Sequence, residues 1–489
     1  MARCLRPLCA VLALASSALA LSNVCADIEK LISPASAVYY PNDTSAHYAA
    51  DVAHWAASSS QVAACSVEPG TAVDVSKILK LIGRTRTPFA VRGAGHTMNL
   101  GWSSTTGVHI AMKRFASVQY NADSQTVDIG AGLRWDDVYA ALAPFGVNVV
   151  GGRVNGVGVA GFTLGGGFSY KTNQYGLTVD TVVAYELVKP NGAIVNVTEC
   201  SEPDLFFGLK GGMNNFGIVT RFTLKTHPQS QVWGGLIAYV GQEPAVSAAV
   251  AKFSATSTDP KAAILPSYNF VQGQLAISHF VFYDGPTPPP GLFDDFLAIP
   301  SVVQDVSTRS FLSLVQSGHS EVYAGHRGAF HSLCLLAYTP AMMAAIANET
   351  NFWGAKLAPS GASFISYAVE PFLPSLYTHN PDGTPTAFPF ARTDPGLLPL
   401  NLYYAWAPPG TVGGPDGTFH AAMKASVAHL LRVAAADGQD VARAPLYPNY
   451  VLADTPLERV YGRNLPRLRA IRRRVDPHRV MGLAGGLKF

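Results

Sequence analysis

The stretch GGRVNGVGVAGFTLGGGFSY, residues 151–170, decides how this chain is read. Inside it, Gly156-Val157-Gly158-Val159-Ala160-Gly161 matches the GxGxxG turn of dinucleotide-binding folds, and Asp180 follows nineteen residues later. Such a turn must open a helix beside a parallel sheet. Here Phe162-Thr163-Leu164 runs straight into Gly165-Gly166-Gly167, and each glycine in a helix costs about 0.8–1.0 kcal/mol relative to alanine. No Rossmann helix is expected. The bare backbone reads instead as the lining of a large ligand, its successive N–H groups forming a concavity suited to a pyrophosphate. The competing reading is a set of turn and barrel-corner glycines.

A second such region lies upstream. In FAVRGAGHTMN, residues 89–99, an apolar run ends at Arg92, and Gly93-Ala94-Gly95 precede His96. Two glycine regions in one domain favour a shared ligand over independent turns.

The flanks supply elements. Residues 71–82 carry apolar side chains at helical spacing and lead into the short strand TPFAVRG. VHIAM and SVQYNADSQTVDIGAG read as strands with a turn at Asn121-Ala122-Asp123. WDDVYAALAPFG reads as a helix with an acidic first turn and a stop at Gly146. VVAYELVKPNGAIVNVT reads as a hairpin around Pro190-Asn191-Gly192. After His227-Pro228, strands such as GQLAISHFVFYDG and NLYYAWAPP alternate with proline-rich loops and alanine-rich helices near 340 and 420. A basic helix, NLPRLRAIRRRV, ends at Asp476-Pro477. The expected layout is a first domain over 21–227, a central domain over 228–440, and a segment over 441–489 returning to the first.

At 489 residues the chain exceeds one ordinary core, and 48% hydrophobic with 14% charged residues describes a packed globular protein. A net charge of +3 gives no argument for nucleic acid or an anionic membrane as partner. MARCLRPLCAVLALASSALA has the basic, apolar and small-residue order of a secretory leader cleaved after Ala20, so a secreted protein is expected. Sequons begin at Asn42, Asn196 and Asn348. Without the leader, Cys25, Cys65, Cys200 and Cys334 remain. Cys25 is expected to pair with Cys65, while Cys200 and Cys334 either pair or stay as thiols. No CxxC or HxxxH spacing occurs, so no metal site is expected.

RGAGHTMN, GLRWDDVYAAL, GVGVAGFTLGGGFSYKTNQYGLTVD and DLFFGLKGGMNNFGIVTRFTL occur in that order. Together they resemble the FAD-binding domain of the vanillyl-alcohol oxidase superfamily. YPNY (447–450) and RLRAIRRRVDP (467–477) resemble its berberine bridge enzyme-like branch. The likeness spans about 60–227 and 445–489, with a weaker central match at FPFARTDPGLLPLNLYYAW, residues 388–406. It implies an α+β fold: a PCMH-type FAD-binding domain of two α/β subdomains, and a central substrate domain whose antiparallel sheet is backed by helices.

The resemblance also implies roles. The first loop cradles the FAD pyrophosphate, and its histidine, matched by His96, bonds covalently to the flavin 8α-methyl carbon. A neutral imidazole is a competent nucleophile for that bond. Many members add a cysteinyl link, but Val154 occupies that position, so a single attachment is expected. The matching cofactor contacts are Arg92, Gly93, Ala94, Gly95, His96, Thr97, Gly158, Gly161, Gly166, Val219, Tyr447 and Asn449. The glycines and valine offer backbone atoms, and Asn449 a bond to a flavin or ribose edge.

By resemblance, the central sheet covers the flavin with substrate between. In NLYYAW the period of two puts Asn401, Tyr403 and Ala405 on one face and Leu402, Tyr404 and Trp406 on the other. The family's base position, five residues before the tryptophan, holds Asn401, which cannot take a proton but can orient a hydroxyl. Tyr447 and Tyr403 are the base candidates, with Glu370 a further one. The expected chemistry is oxidation of a C–OH or C–N centre by hydride transfer to flavin N5, with O2 as acceptor and H2O2 as product. A sugar, oligosaccharide or alcohol is the expected substrate. A tailoring oxidase of secondary metabolism and a non-catalytic flavoprotein are the alternatives. A monomer is expected.

Overall fold

A computed structural model describes residues 21, 23–318, 320–379, 385–393, 395–407 and 415–489. The leader expected at 1–20 lies outside the described residues.

Helix Ala72–Thr85 buries Val75, Ile78, Leu79 and Ile82 along one stripe, and Thr71 caps it by accepting the Asp74 N–H at 3.1 Å. It delivers strand Phe89–Arg92, which lies parallel to Val108–Ala111. Cys65–Glu68 and Ala37–Tyr39 complete this four-stranded sheet. Cys25 and Cys65 form the expected disulfide, whereas Cys200 is exposed and Cys334 buried, both unpaired.

A second, antiparallel sheet runs Val118–Asn121, Thr126–Gly130, Ile218–Lys225, Val182–Val188 and Ile194–Val197. The last pair is the hairpin read from Pro190-Asn191-Gly192, with Gly192 at φ 83°. Helices Trp135–Leu142, Pro203–Leu209 and Leu465–Val475 share one core with both small sheets, so the chain's end packs against its beginning.

One expectation is corrected here. Val159–Leu164 does form a helix, six residues long, starting at Gly158 and stopping at Gly165. The Val159 N–H donates to Leu133 O at 2.9 Å, fixing the first turn, and the glycine run sets the stop, with Gly166 and Gly167 at φ 127° and 89°. Strand Val182–Val188, which follows, pairs antiparallel, so the unit is not a Rossmann βαβ.

The central part is a seven-stranded antiparallel sheet. Its order is Val303–Arg309, Val232–Val240, Gln274–Tyr283, Ala262–Val271, Ala362–Val369, Leu398–Trp406 and Arg327–Leu335. Helices Glu243–Thr256, Pro340–Leu357 and Asp416–Ala436 back it in a second core. The alternation read in NLYYAW decides which side chains meet those helices. Trp406 stacks on Phe419 at 4.3 Å, and the Tyr404 hydroxyl lies 2.5 Å from that of Tyr367. Tyr403 is on the opposite face, against Trp55 of the first half. Among the described residues, no helix is long and apolar enough to cross a membrane, and no cluster of three His, Cys, Asp or Glu side chains could hold a metal.

Candidate active site

The two glycine regions meet. A Cβ on Gly158 would lie 2.7 Å from Ala94 Cβ and 3.0 Å from its nitrogen, so only glycine allows the contact. Gly95 has φ +75°, and a Cβ there would fall 2.5 Å from Arg92 Nε. Among the described residues, the amides of Ala94, Gly95, His96 and Thr97 donate to no backbone carbonyl. A Cβ on Gly161 would meet nothing within 4 Å, so this glycine fronts open space beside the cradle.

Tyr447 and Asn449 close the far side. The Tyr447 hydroxyl accepts the Gly167 N–H at 3.0 Å and Asn449 Nδ2 at 2.9 Å, and Asn449 Nδ2 also donates to Phe162 O at 3.2 Å. A Cβ on Gly166 would lie 3.2 Å from the Tyr447 ring. Burial pushes the Tyr447 phenol up to about 12, so it stays protonated as a brace for the glycine loop. Val219 is buried a layer below, on the strand whose Thr220 carbonyl accepts from Ala131; a Gly93 Cβ would lie 3.4 Å from Ala131 O.

His96 stands at the mouth of the first loop, its ring stacked on Trp55 at 5.1 Å and 18°. Its Nε2 is buried without a hydrogen-bond partner among the described residues. Burial, helped by the Arg134 charge, lowers the imidazole to about 4, so it is neutral with a lone pair available near pH 7. Arg92 Nε is likewise buried and unpartnered, a cation within the cradle. A close loop contact that only Gly158 allows, undirected amides, a buried cation and a neutral imidazole are the donor set that a dinucleotide pyrophosphate and a histidyl tether require. These residues fit FAD.

Across from them, the inner face of the large sheet carries aromatic and polar groups in turn. Tyr403 packs on Trp55 at 5.5 Å, Phe330 at 5.3 Å and Phe364 at 5.8 Å. Asn401 Oδ1, Tyr403 OH and Ser332 Oγ are buried without partners among the described residues, and Asn401 and Ser332 are register neighbours. Burial raises the Tyr403 phenol far above its ordinary value, and its hydroxyl, unlike that of Tyr447, has no hydrogen-bond partner among the described residues.

Three residues of this site escape sequence reading. Arg153, with a side chain only 9% exposed, donates to Glu370 Oε2 at 2.6 Å and to Tyr450 OH at 3.2 Å. Tyr450 OH in turn donates to Glu370 Oε1 at 3.1 Å, and its ring lies 5.7 Å from Phe330 and 4.7 Å from Tyr447. Burial raises the Glu370 carboxyl, with Arg153 opposing, and burial and Glu370 raise the Tyr450 phenol. Trp55 is the third. Two signals were at hand: Arg153 adjoins Val154, and Tyr450 closes the YPNY motif.

A family model described as an FAD binding domain matches residues 63–198. The chain is 38% identical over 267 residues to an uncharacterized FAD-linked oxidoreductase of Arthroderma benhamiae, covering 54% of this chain and 53% of that protein. It is 31% identical over 437 residues to the FAD-dependent monooxygenase macF of Penicillium terrestre, covering 86% and 80%. The match thus spans about half the length of several curated relatives. Among solved structures, 6-hydroxy-D-nicotine oxidase of Arthrobacter nicotinovorans superposes with TM-score 0.76 at 21% identity, covering 91% of this chain and 96% of that one. The carbohydrate oxidase of Microdochium nivale superposes with TM-score 0.74 at 18% identity, covering 91% and 95%. At these identities the likeness is one of fold, and it bears out the expected architecture.

Proposed function

Since the chain belongs to the FAD-linked oxidoreductases of the vanillyl-alcohol oxidase superfamily, we propose that it is an oxidase with FAD tethered through His96 alone. On this reading its donor is a C–OH or C–N centre, and its acceptor O2, giving H2O2. Bound FAD supplies the hydride acceptor and the oxygen chemistry, and the protein supplies position and electrostatics. Residues 92–97 with Gly158, Gly161 and Gly166 hold the cofactor, and Tyr447 and Asn449 brace that cradle.

The observation that carries the chemistry is the Arg153–Glu370–Tyr450 constellation opening onto the aromatic wall. Tyr450 takes the substrate hydroxyl proton while passing its own to Glu370. Its raised pKa keeps the phenol neutral between turnovers, and the raised carboxyl of Glu370 makes a stronger base than a solvated one. Arg153 keeps that buried carboxylate ionised. Asn401, Tyr403 and Ser332 offer unpaired polar atoms to substrate hydroxyls.

Those polar atoms between aromatic rings favour a sugar, an oligosaccharide or another alcohol. A tailoring oxidase of secondary metabolism is the second reading, favoured by the likeness to macF over most of the chain. Flavin bleaching by a panel of sugars, alcohols and amines, then recolouring in air with peroxide detection, separates the two. A flavin that no panel member reduces favours a binding protein. Glu370→Gln should lower the reductive rate by about 10²–10⁴-fold at unchanged flavin content. In wild type that rate should fall as acid protonates Glu370. An unimpaired Gln variant would remove Glu370 from the mechanism.

Secretion as a monomer completes the reading. The leader-like residues 1–20, the exposed asparagines of the three sequons and the Cys25–Cys65 disulfide support export. Protein recovered from the medium should begin at or near Leu21; protein confined to cells would overturn this.

A further inference from the structure

We infer that Trp55 is the positioning residue for the histidyl tether: its indole sets the plane in which His96 meets the cofactor. This rests on the reading of His96 as the attachment point.

Hydrogen bonds to the rest of the described chain do not fix the His96 ring. One ring nitrogen contacts only its own backbone, and Nε2 has no partner among the described residues. A terminal sp³–sp² torsion is soft, so an imidazole bonded only to its own backbone is loosely held in plane. The stacked indole, 5.1 Å away and 18° from coplanar, is the flat surface that narrows that range. Offset aromatic stacking is sufficient to bias a torsion of this kind.

The segment that carries the indole is itself held from both halves. The Trp55 backbone N–H donates to Gly95 O at 3.0 Å, within the glycine loop that carries His96. Its carbonyl accepts the Gly325 N–H at 2.8 Å, and Ala57 N–H donates to His326 O at 2.8 Å. Ser58 Oγ donates to Gly328 O at 2.8 Å and accepts the Gly328 N–H at 3.1 Å. The Trp55 ring also meets Tyr403 of the large sheet at 5.5 Å. Trp55 Nε1 is buried with no partner among the described residues, so the indole works through its faces and not as a donor.

The bond it aids joins an imidazole nitrogen to the 8α carbon of the flavin methyl group. Net, one N–H and one C–H bond are replaced by one C–N bond, and the two hydrogens leave with O2 as H2O2. Misplacement of one reacting atom by an ångström costs rates on the order of a hundredfold. Trp55 therefore acts on attachment, before any substrate is present.

The test uses full-length protein with Trp55→Leu and Trp55→Phe, both of which fill volume while only Phe keeps a ring plane. Total flavin is compared with the flavin left in the acid-precipitated pellet at fixed times after harvest. Wild type should retain nearly all its colour. The Leu variant should carry bound FAD with a covalent fraction down at least about tenfold, given the positional sensitivity above. Phe should restore most of it. Equal covalent fractions in the Leu and Phe variants would overturn the role of Trp55. A wild-type pellet without flavin would instead overturn the tether, and colour retained in His96→Ala would show that another residue carries it.

Discussion

A single methyl group distinguishes a glycine kept for shape from one kept for a ligand. At Gly158 an added Cβ strikes Ala94 at 2.7 Å, so Gly158→Ala must displace the loop carrying His96. Overpacking of this kind costs about 1–3 kcal/mol, and FAD content per protein, read at 450 nm, should drop roughly tenfold. Gly161 is the counter-case. Its Cβ would meet no protein atom within 4 Å, and it sits inside helix Val159–Leu164. Gly161→Ala should therefore raise the urea midpoint, by up to about 1 kcal/mol of stability, while lowering FAD loading because the methyl enters the cofactor's space. A Gly161→Ala protein that loads FAD normally would place the cofactor elsewhere.

Among the elements, helix Ala72–Thr85 shows how one carboxylate secures a whole segment. Asp74 accepts from Ser33 N at 2.9 Å, Ser33 Oγ at 2.6 Å, Ser36 Oγ at 2.8 Å and Thr71 Oγ1 at 2.8 Å. Burial alone would raise this carboxyl, but the hydrogen bonds outweigh it and hold it at about 2, against 3.8 unperturbed. A depressed carboxyl contributes stability that is present above its unfolded pKa and lost as pH falls through the folded one. Asp74→Asn should thus cost roughly 2 kcal/mol at pH 7 in urea unfolding, and the gap to wild type should close between about pH 4 and 2. A gap that persists at pH 2 would mean the effect is not ionic. This helix was legible because its apolar spacing is local. So was the hairpin at Gly192, whose positive φ suits the Asn-Gly turn. Helix Val159–Leu164 was not, because the penalty of the glycine run was charged to it when that run only sets its end. The Arg153–Glu370 pair spans 217 residues, and no local pattern joins its members. Trp55 likewise acquires its neighbours only when two distant loops close on it.

For the molecule as a whole, the question is what holds the large sheet at a fixed height over the cradle. One buried charge pair answers much of it. Lys171, fully buried beside the glycine run, places Nζ 3.3 Å from Asp284 Oδ2, at the end of strand Gln274–Tyr283. Asp284 also accepts Gln174 Nε2 at 2.8 Å and Gln229 Nε2 at 2.9 Å, so two amide donors and one ammonium from the first half and the junction converge on one carboxylate of the second. The Lys171 ammonium also lies over the faces of Tyr175 and Phe311, at 5.8 and 5.9 Å. Burial pulls its pKa down, and Asp284 pulls it back up. Removing one partner of a buried pair strands the other, so Asp284→Asn should cost about 3–5 kcal/mol. Replacing both, in Lys171→Met with Asp284→Asn, should recover much of that loss, because no unpaired charge remains. The single variant's deficit should also shrink as pH rises, since a stranded lysine with a lowered pKa sheds its proton and the buried charge disappears. Urea midpoints for the four proteins of the cycle, taken at pH 6 and pH 9, decide it. Additive losses with no pH dependence would show that Lys171 and Asp284 are packed side by side without being coupled, and that the sheet is held over the cradle by apolar contact alone.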